Sequence, residues 1–174
     1  MAVVITPFTH QKILINTPFS LNIPISGNPT NAYISGRLLG LYSNWTGSRL
    51  ELRGTPEKYA KNVDVTIIAD SERYTGKISV VPPPPVISPL SRVTVSRGQE
   101  ITIPIAISGL VSEFIVHGPW IGLKHRQTDT GGELYGIIDS SAEFTQRTFE
   151  YSITAYNQES FDTETLIVEI AVGG

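Results

Sequence analysis

Histidines are the side chains in this sequence best suited to acid–base chemistry or zinc binding, and their spacing favours neither. The chain has 174 residues, three histidines and no cysteine. A catalytic triad or a zinc site needs histidines that converge with acids. His10 is far in sequence from the other two. His117 and His125 flank one short loop and could face each other across it, but the favoured interpretation is two structural histidines at strand ends.

Carboxylates form two loose clusters, and neither has the spacing of a known calcium loop. The clusters are Asp129, Glu133 and Asp139, and Glu159, Asp162 and Glu164. The sequence contains no serine elbow, no phosphate-cradling glycine loop and no paired-acid motif. The two catalytic carboxylates of a glycosidase can occur without a recognisable sequence motif. However, a β-sandwich of half the length of this chain seldom encloses a substrate cleft. We therefore predict no enzymatic activity, no cofactor and no metal.

Aromatic side chains are the better candidates for contact with a partner, because they can anchor a protein or stack on a sugar ring. The polar residues around Trp45 favour its exposure, whereas Trp120 is expected to be a core plug. Residues 44–46 also match the N-glycosylation sequon, which we attribute to chance. The candidate contact residues are Tyr33, Tyr42, Trp45 and Trp120.

The elements that carry these residues are predicted to be β-strands. Apolar residues alternate with polar ones over residues 19–25 and 101–107, and turn signals separate such runs. Many short strands with regular turns indicate β-sandwiches. Pro24 and Pro104 lie at the same place inside a strand in each half. A proline cannot donate to a ladder, so this strand is expected to be an edge, to be bulged or to switch sheets there.

The second half of the chain restates the first. Residues 21–25 (LNIPI) reappear as 101–105 (ITIPI), and residues 63–69 (VDVTIIA) as 149–155 (FEYSITA), so the offset lies between 80 and 86 residues. An ordered offset of this kind predicts two domains built on one plan. The halves are unequal, because the second has a longer and more charged middle from Lys124 to Glu133.

Four consecutive prolines separate the halves. Polyproline is extended and stiff, with a rise of about 3.1 Å per residue. We predict a first β-sandwich over residues 1–81 and a second over residues 86–174, held apart by a linker over residues 82–85. The hinge residues are Pro82, Pro83, Pro84 and Pro85.

Each half resembles the bacterial immunoglobulin-like (Ig-like) modules related to cadherin-like, dystroglycan-type repeats. The first half carries the motifs at residues 36–41 (GRLLGL), 47–56 (GSRLELRGTP) and 63–70 (VDVTIIAD). The second keeps 132–136 (GELYG) and 151–157 (YSITAYN) but lacks the Thr-Pro that follows Gly54 in the first. The resemblance implies an all-β fold of two tandem Ig-like β-sandwich domains joined by a polyproline linker. It also implies a spacer, adhesive or stacking role, and cadherin-like calcium binding is not expected because the linker has no acid.

Composition excludes several partners. The net charge of −3 provides no field for nucleic acid or an anionic membrane. No segment approaches the roughly 20 apolar residues of a membrane helix, and the first residues do not form a signal peptide.

Two function classes stay open. One is a phage virion accessory protein (capsid decoration, neck or tail) that is made in the host cytoplasm and binds other virion proteins or itself. The other is a spacer or carbohydrate-binding adhesin fragment of a bacterial surface protein, located outside the cell, for which a surface glycan is the partner. In either class, one domain is expected to dock while the other is displayed.

Overall fold

All regular elements that a computed structural model describes, over residues 1–140 and 147–171, are β-strands. The all-β prediction is therefore confirmed. The chain divides into two compact units, Met1–Pro82 and Pro83–Gly174. No helix in the described ranges is long and apolar enough to cross a membrane.

The first unit is a sandwich of two four-stranded sheets, with strand orders β1-β3-β6-β5 and β2-β8-β7-β4. Alternate apolar residues of both sheets turn inward and form its core, including Ile23, Leu50 and Ile67. The strands are β1 (Val4–Ile5), β2 (Gln11–Leu14), β3 (Phe19–Ser26), β4 (Ala32–Gly36), β5 (Leu41–Trp45), β6 (Arg49–Gly54), β7 (Ala60–Ala69) and β8 (Glu72–Val81).

The second unit repeats this plan strand for strand around its own core. Its strands are β9 (Val86–Ile87), β10 (Val93–Val95), β11 (Glu100–Ser108), β12 (Glu113–His117), β13 (Leu123–Thr128), β14 (Gly131–Ile137), β15 (Thr148–Tyr156) and β16 (Phe161–Ile170). The sheet orders are β9-β11-β14-β13 and β10-β16-β15-β12, which match those of the first unit position by position. The duplication in the sequence is therefore a duplication of the fold.

Each unit has a proline inside its first long strand, Pro24 in β3 and Pro104 in β11. This proline marks the place where the short first strand, β1 or β9, no longer pairs with the long strand. In the first unit β1 pairs with β3, whereas β2 pairs in parallel with β8 in the other sheet. The Thr6 N–H donates to the Pro24 carbonyl at 3.1 Å, while the Ile25 N–H donates to Ser48 on the opposite side. Because backbone groups alternate sides along a strand, the missing N–H of Pro24 faces the vacated edge. In the second unit β9 covers only Ile107 and Ser108, so Pro104 lies beyond the pairing. Although β3 and β11 lie inside their sheets, the proline of each is therefore at a place where one side of the strand has no partner strand.

A glycine just after the first long strand of each unit lets the segment that precedes the first strand approach the backbone closely. Gly27 has φ +91°, and a Cβ there would lie 2.3 Å from the Ala2 carbonyl oxygen. Gly109 has φ +86°, and its Cβ would lie 2.0 Å from the Pro84 carbonyl oxygen. Pro84 therefore occupies in the second unit the position that Ala2 occupies in the first.

The prolines from Pro83 onward belong to the second unit. The Pro83 carbonyl accepts hydrogen bonds from Asn157 Nδ2 at 2.8 Å and from the Leu110 N–H at 3.4 Å. The boundary between the compact units thus falls between Pro82 and Pro83, earlier than the domain start that the sequence suggests. That the four prolines act as a stiff hinge stays a prediction.

Two glycines with the same backbone angle give a matched test of this close crossing. Gly27 has φ +91° and Gly47 has φ +92°. Replacing either by alanine is expected to lower the stability of the protein by about 1 kcal/mol, because alanine is strained in the left-handed region. Gly47→Ala meets no atom within 4 Å, whereas Gly27→Ala collides with backbone. We expect Gly27→Ala to cost about 1–3 kcal/mol more than Gly47→Ala. Calorimetry of the full chain measures this as a larger fall in melting temperature, and equal falls would contradict it.

Candidate interaction surface

The structure reverses the expected environments of the two tryptophans. Trp45 ends β5 and packs against the core of the first unit. The period of two that starts at the buried Leu41 places Trp45 on the inner face, despite its polar neighbours. Trp120 lies in the loop between β12 and β13 and is 73% exposed, because the neighbouring Ile121, 1% exposed, is the residue that fills the core. The core-plug prediction for Trp120 is wrong, and Trp45, which was expected to be exposed, is partly buried and stays a candidate for partner contact.

Two glycines that touch each other's backbone determine where the Trp120 loop meets the sheet. A Cβ on Gly122 would lie 2.0 Å from the Ile137 carbonyl oxygen, and a Cβ on Gly136 would lie 2.3 Å from the Gly122 carbonyl oxygen. Their φ values are +96° and +145°, which glycine adopts without strain. This contact brings the start of β13 against the end of β14, so that Trp120 and Ile137 border one depression.

That depression is the candidate site, here called the Trp120 surface. It is open and has a volume of about 580 Å³. Ile137 is 57% exposed, so its side chain enlarges the exposed apolar surface that Trp120 provides. An exposed apolar pair inside a polar rim is the composition of a protein-docking surface. The lining includes the large side chains of Trp120, Tyr135 and Ile137 together with the polar residues Glu100, Lys124, Asp139 and Ser140.

A buried tyrosine supports the Trp120 loop from below. The Tyr151 hydroxyl donates to the Pro119 carbonyl at 2.8 Å. Gly118 passes directly over the ring, since a Cβ there would lie 2.3 Å from Tyr151 Cδ1. Burial raises the pKa of Tyr151 to about 12, so the hydroxyl stays protonated and continues to donate at neutral pH.

A charged pair holds the aromatic floor of the surface. Arg126 pairs with Glu133 across β13 and β14. The same guanidinium lies 4.7 Å from the centre of the Tyr135 ring. This cation–π contact fixes one face of Tyr135 beside the depression.

The first unit has the same depression with different chemistry. Leu38 occupies the position of Trp120 and packs against the core. Thr55, within the Gly-Thr-Pro motif, stands where the second unit has Ile137. The depression here, of about 420 Å³, is lined by Arg37, Leu39, Gly40, Thr55, Glu57 and Lys58. Charged residues line this site in both units, and the second unit adds the exposed apolar side chains of Trp120 and Ile137.

Ile137 was missed by sequence reasoning, although the sequence carried a signal for it. The second half lacks the Thr-Pro that follows Gly54 in the first half and has Ile137 after Gly136. The same change places an isoleucine at a position that is polar and exposed in the other repeat.

The remaining aromatic candidates lie in the first unit, apart from the Trp120 surface. Tyr33 is 46% exposed on β4, and Tyr42 is 53% exposed on β5. Arg53 lies 5.2 Å from the centre of the Tyr42 ring. Both tyrosines stay candidates for partner contact.

Histidine and acidic side chains contact other residues of the fold. His10 Nε2 lies 2.8 Å from Ser79 Oγ, and the His125 ring packs edge-on against Phe114. Asp162 accepts a hydrogen bond from the Ile87 N–H at 2.7 Å and so ties β16 to β9. Within residues 1–140 and 147–171, no three or more histidine or acidic side chains are grouped to hold a metal ion.

Comparison with known proteins bears on the fold. The sequence matches no protein-family model and no curated protein. The titin domains Z1Z2, solved in complex with telethonin, are 15% identical over 100% of this chain and 98% of that chain, with a TM-score of 0.52. Titin-A168169 is 15% identical over 99% and 100%, with a TM-score of 0.48. An endo-fucoidan hydrolase of glycoside hydrolase family 107 is 14% identical over 93% and 28%, with a TM-score of 0.41.

Two eight-stranded sandwiches in tandem, each with its first strand divided between the sheets, define the class of protein. The chain consists of two tandem Ig-like β-sandwich domains. At 15% identity, the titin comparison shows the fold alone.

Tyr151 gives the second domain a stability term that alkali removes. Unfolded tyrosine loses its proton near pH 10.0, whereas folded Tyr151 keeps it to about pH 12. Between these values the folded state binds more protons, so this stability is present below pH 10 and is lost as the pH rises toward 12. We expect Tyr151→Phe to remove the last-titrating tyrosinate signal and to cost about 1 kcal/mol at neutral pH.

Absorbance of tyrosinate during an alkaline titration measures the first effect, and calorimetry measures the second. Tyr42→Phe is the control, because it removes an exposed tyrosine from the other domain. A late-titrating signal that persists in Tyr151→Phe would show that another tyrosine produces it.

Proposed function

We propose that this protein is a non-enzymatic structural protein whose second domain docks on a protein partner through the Trp120 surface. The first domain is displayed. The observation that carries the proposal is the difference between the two repeats at one backbone site. Trp120 is 73% exposed. Burial of a large apolar side chain would stabilise the fold by about 1.5–3 kcal/mol, and this stabilisation is absent here. In the first domain the residue at that position is packed against the core.

The composition of the surface favours a protein as the partner. Tryptophan is enriched among the residues that carry most binding energy, and such anchors lie inside a polar rim that excludes water. Trp120 and Ile137 provide the apolar centre, with Lys124 and Glu100 at the rim. The titin Z1Z2 tandem forms a complex with telethonin, which is an example of this fold binding a protein.

The setting we propose is a virion, where the chain is a capsid decoration, neck or tail accessory. The absence of cysteine supports this setting, because such a chain folds by packing alone in a reducing cytoplasm. Each domain has its own core, as a projecting module requires. The alternative setting is a bacterial surface protein in which the domains are spacers.

Fractionation tests the setting directly. Antibodies against the chain are expected to detect it in virions purified on a density gradient from the organism of origin. A signal confined to the cell envelope would replace the virion with the surface protein.

A carbohydrate is the second candidate ligand, since an exposed indole beside an open depression suits a sugar ring. Carboxylates such as Glu100 and hydroxyls such as Ser140 line the same depression and can bind sugar hydroxyls. The chain has two tryptophans. Trp45 is packed against the core, so a change in tryptophan fluorescence on addition of polysaccharide would report on Trp120. Loss of that change in the variant Trp120→Tyr would favour a carbohydrate ligand.

Anchor removal tests the docking surface. We expect Trp120→Ser to weaken retention of the purified chain on virions that lack it by about 30-fold, the effect of losing an anchor worth about 2 kcal/mol. Ile137→Thr, which introduces the residue of the first domain, is expected to weaken binding less. Co-sedimentation measures both, and melting temperatures confirm that the variants are folded.

Tyr42→Ser is the matched control, because Tyr42 is an exposed aromatic of the first domain. Unchanged binding by Trp120→Ser, together with weak binding by Tyr42→Ser, would move the docking surface to the first domain.

A further inference from the structure

The strand β4 is an open edge in the first domain. It pairs with β7 in the sheet order β2-β8-β7-β4, and no described strand pairs with its other side. Such a side presents a row of unpaired backbone N–H and carbonyl groups to which another strand can add.

The hydrogen-bond pattern identifies which groups face outward. The Asp70 N–H donates to the Asn31 carbonyl at 3.2 Å, and these residues continue the register of the β4–β7 ladder. Backbone groups alternate along an antiparallel strand, so Tyr33 and Ser35 also bond toward β7. The outward groups are those of Ala32, Ile34 and Gly36.

The side chains of β4 do not block this edge. Natural edges are usually protected by lysine, proline, bulges or inward-pointing charges. The β4 sequence is Ala-Tyr-Ile-Ser-Gly, without charge or proline. Its core face, Ala32 and Ile34, is buried, while Tyr33 and Ser35 face solvent.

Two edge strands of the second domain carry charged or titratable residues that β4 lacks. The equivalent strand of the second domain, β12, has Glu113 and His117 at its ends. The edge strand β13 contains Lys124 and Arg126. The edge strand β5, Leu-Tyr-Ser-Asn-Trp, is also uncharged, and the guanidinium of Arg53 on β6 lies over its Tyr42.

We propose that β4 pairs antiparallel with β4 of a second copy of this chain. In a twofold pair centred on Ile34, Tyr33 of one copy lies opposite Ser35 of the other. No like charges meet in that arrangement, and the tyrosine packs across the strand pair. The same pairing of β13 would set its cations close together. A five-residue strand buries less than a standard interface, so the dimer is weak and forms at high local concentration, as on a particle surface.

This lateral contact uses the first domain and does not depend on the Trp120 surface. It gives the displayed domain a task, which is to bind its neighbours while the second domain docks.

Amide exchange combined with analytical ultracentrifugation tests the pairing. As concentration rises to about 1 mM and the dimer forms, the amides of Ala32, Ile34 and Gly36 are expected to exchange at least tenfold more slowly. The amides of Tyr33 and Ser35, already bonded to β7, are expected not to change. A chain that is monomeric at about 1 mM, or a dimer with unchanged β4 exchange, overturns the proposal.

A charge exchange on β4 tests the identity of the occupant. The variant with Tyr33→Lys and Ser35→Lys is expected to dimerise about tenfold more weakly, as is the variant with Tyr33→Glu and Ser35→Glu. Mixing the two is expected to restore a mixed dimer. The control introduces Ile115→Lys and His117→Lys on β12, which is expected to leave dimerisation unchanged. Failure of the mixture to associate overturns the proposal, as does β4 protection that appears only when another protein is added.

Discussion

The contact between Gly122 and Gly136 is the constraint on which the candidate site depends. Neither position has room for a Cβ, because each would overlap a carbonyl oxygen of the facing segment. The backbones therefore meet directly, and the residues beside them have fixed neighbours. Gly40 and Gly54 make the corresponding contact in the first domain, where a Cβ on Gly54 would lie 2.7 Å from the Gly40 carbonyl oxygen. One backbone geometry thus serves both domains, and their chemistry differs only through the side chains placed on it.

The sequence predicted the strands well because alternation reports burial directly. Residues 19–25 and 101–107 alternate, and they form β3 and β11, the third strand of each domain. Pro24 and Pro104 added a topological detail, since a missing donor is tolerated only where pairing has ended. The tryptophans were harder to assign. Trp120 stands in a loop, where the direction of a side chain follows from local turns that no period describes. Trp45 did follow the period from Leu41, but the polar residues around it suggested a loop.

Duplication gave this chain two copies of one scaffold, and the described surfaces show how the copies diverged. The second domain carries charged residues on two of its edge strands, β12 and β13, and exposes Trp120 and Ile137 in its depression. The first has an uncharged β4 edge and a charged depression lined by Arg37, Glu57 and Lys58. The two domains therefore differ in the surface that each exposes, the β4 edge in the first and the Trp120 surface in the second. The proposed contacts to a partner and between copies lie on separate domains, so substitutions can change one without the other.

The division of the first strand between two sheets also has a mechanical consequence. In the first domain β2 and the last strand, β8, run parallel from Gln11 opposite Ile78 to Leu14 opposite Val81. Tension on the chain pulls these two strands in opposite directions along their length, so their hydrogen bonds are loaded together in shear instead of opening one at a time. In the second domain β10 and β16 have the same arrangement over three residue pairs, from Val93 opposite Val168 to Val95 opposite Ile170. Tension along the chain reaches this parallel pair after β1 or β9 has been pulled from its sheet, and would then load its hydrogen bonds in shear.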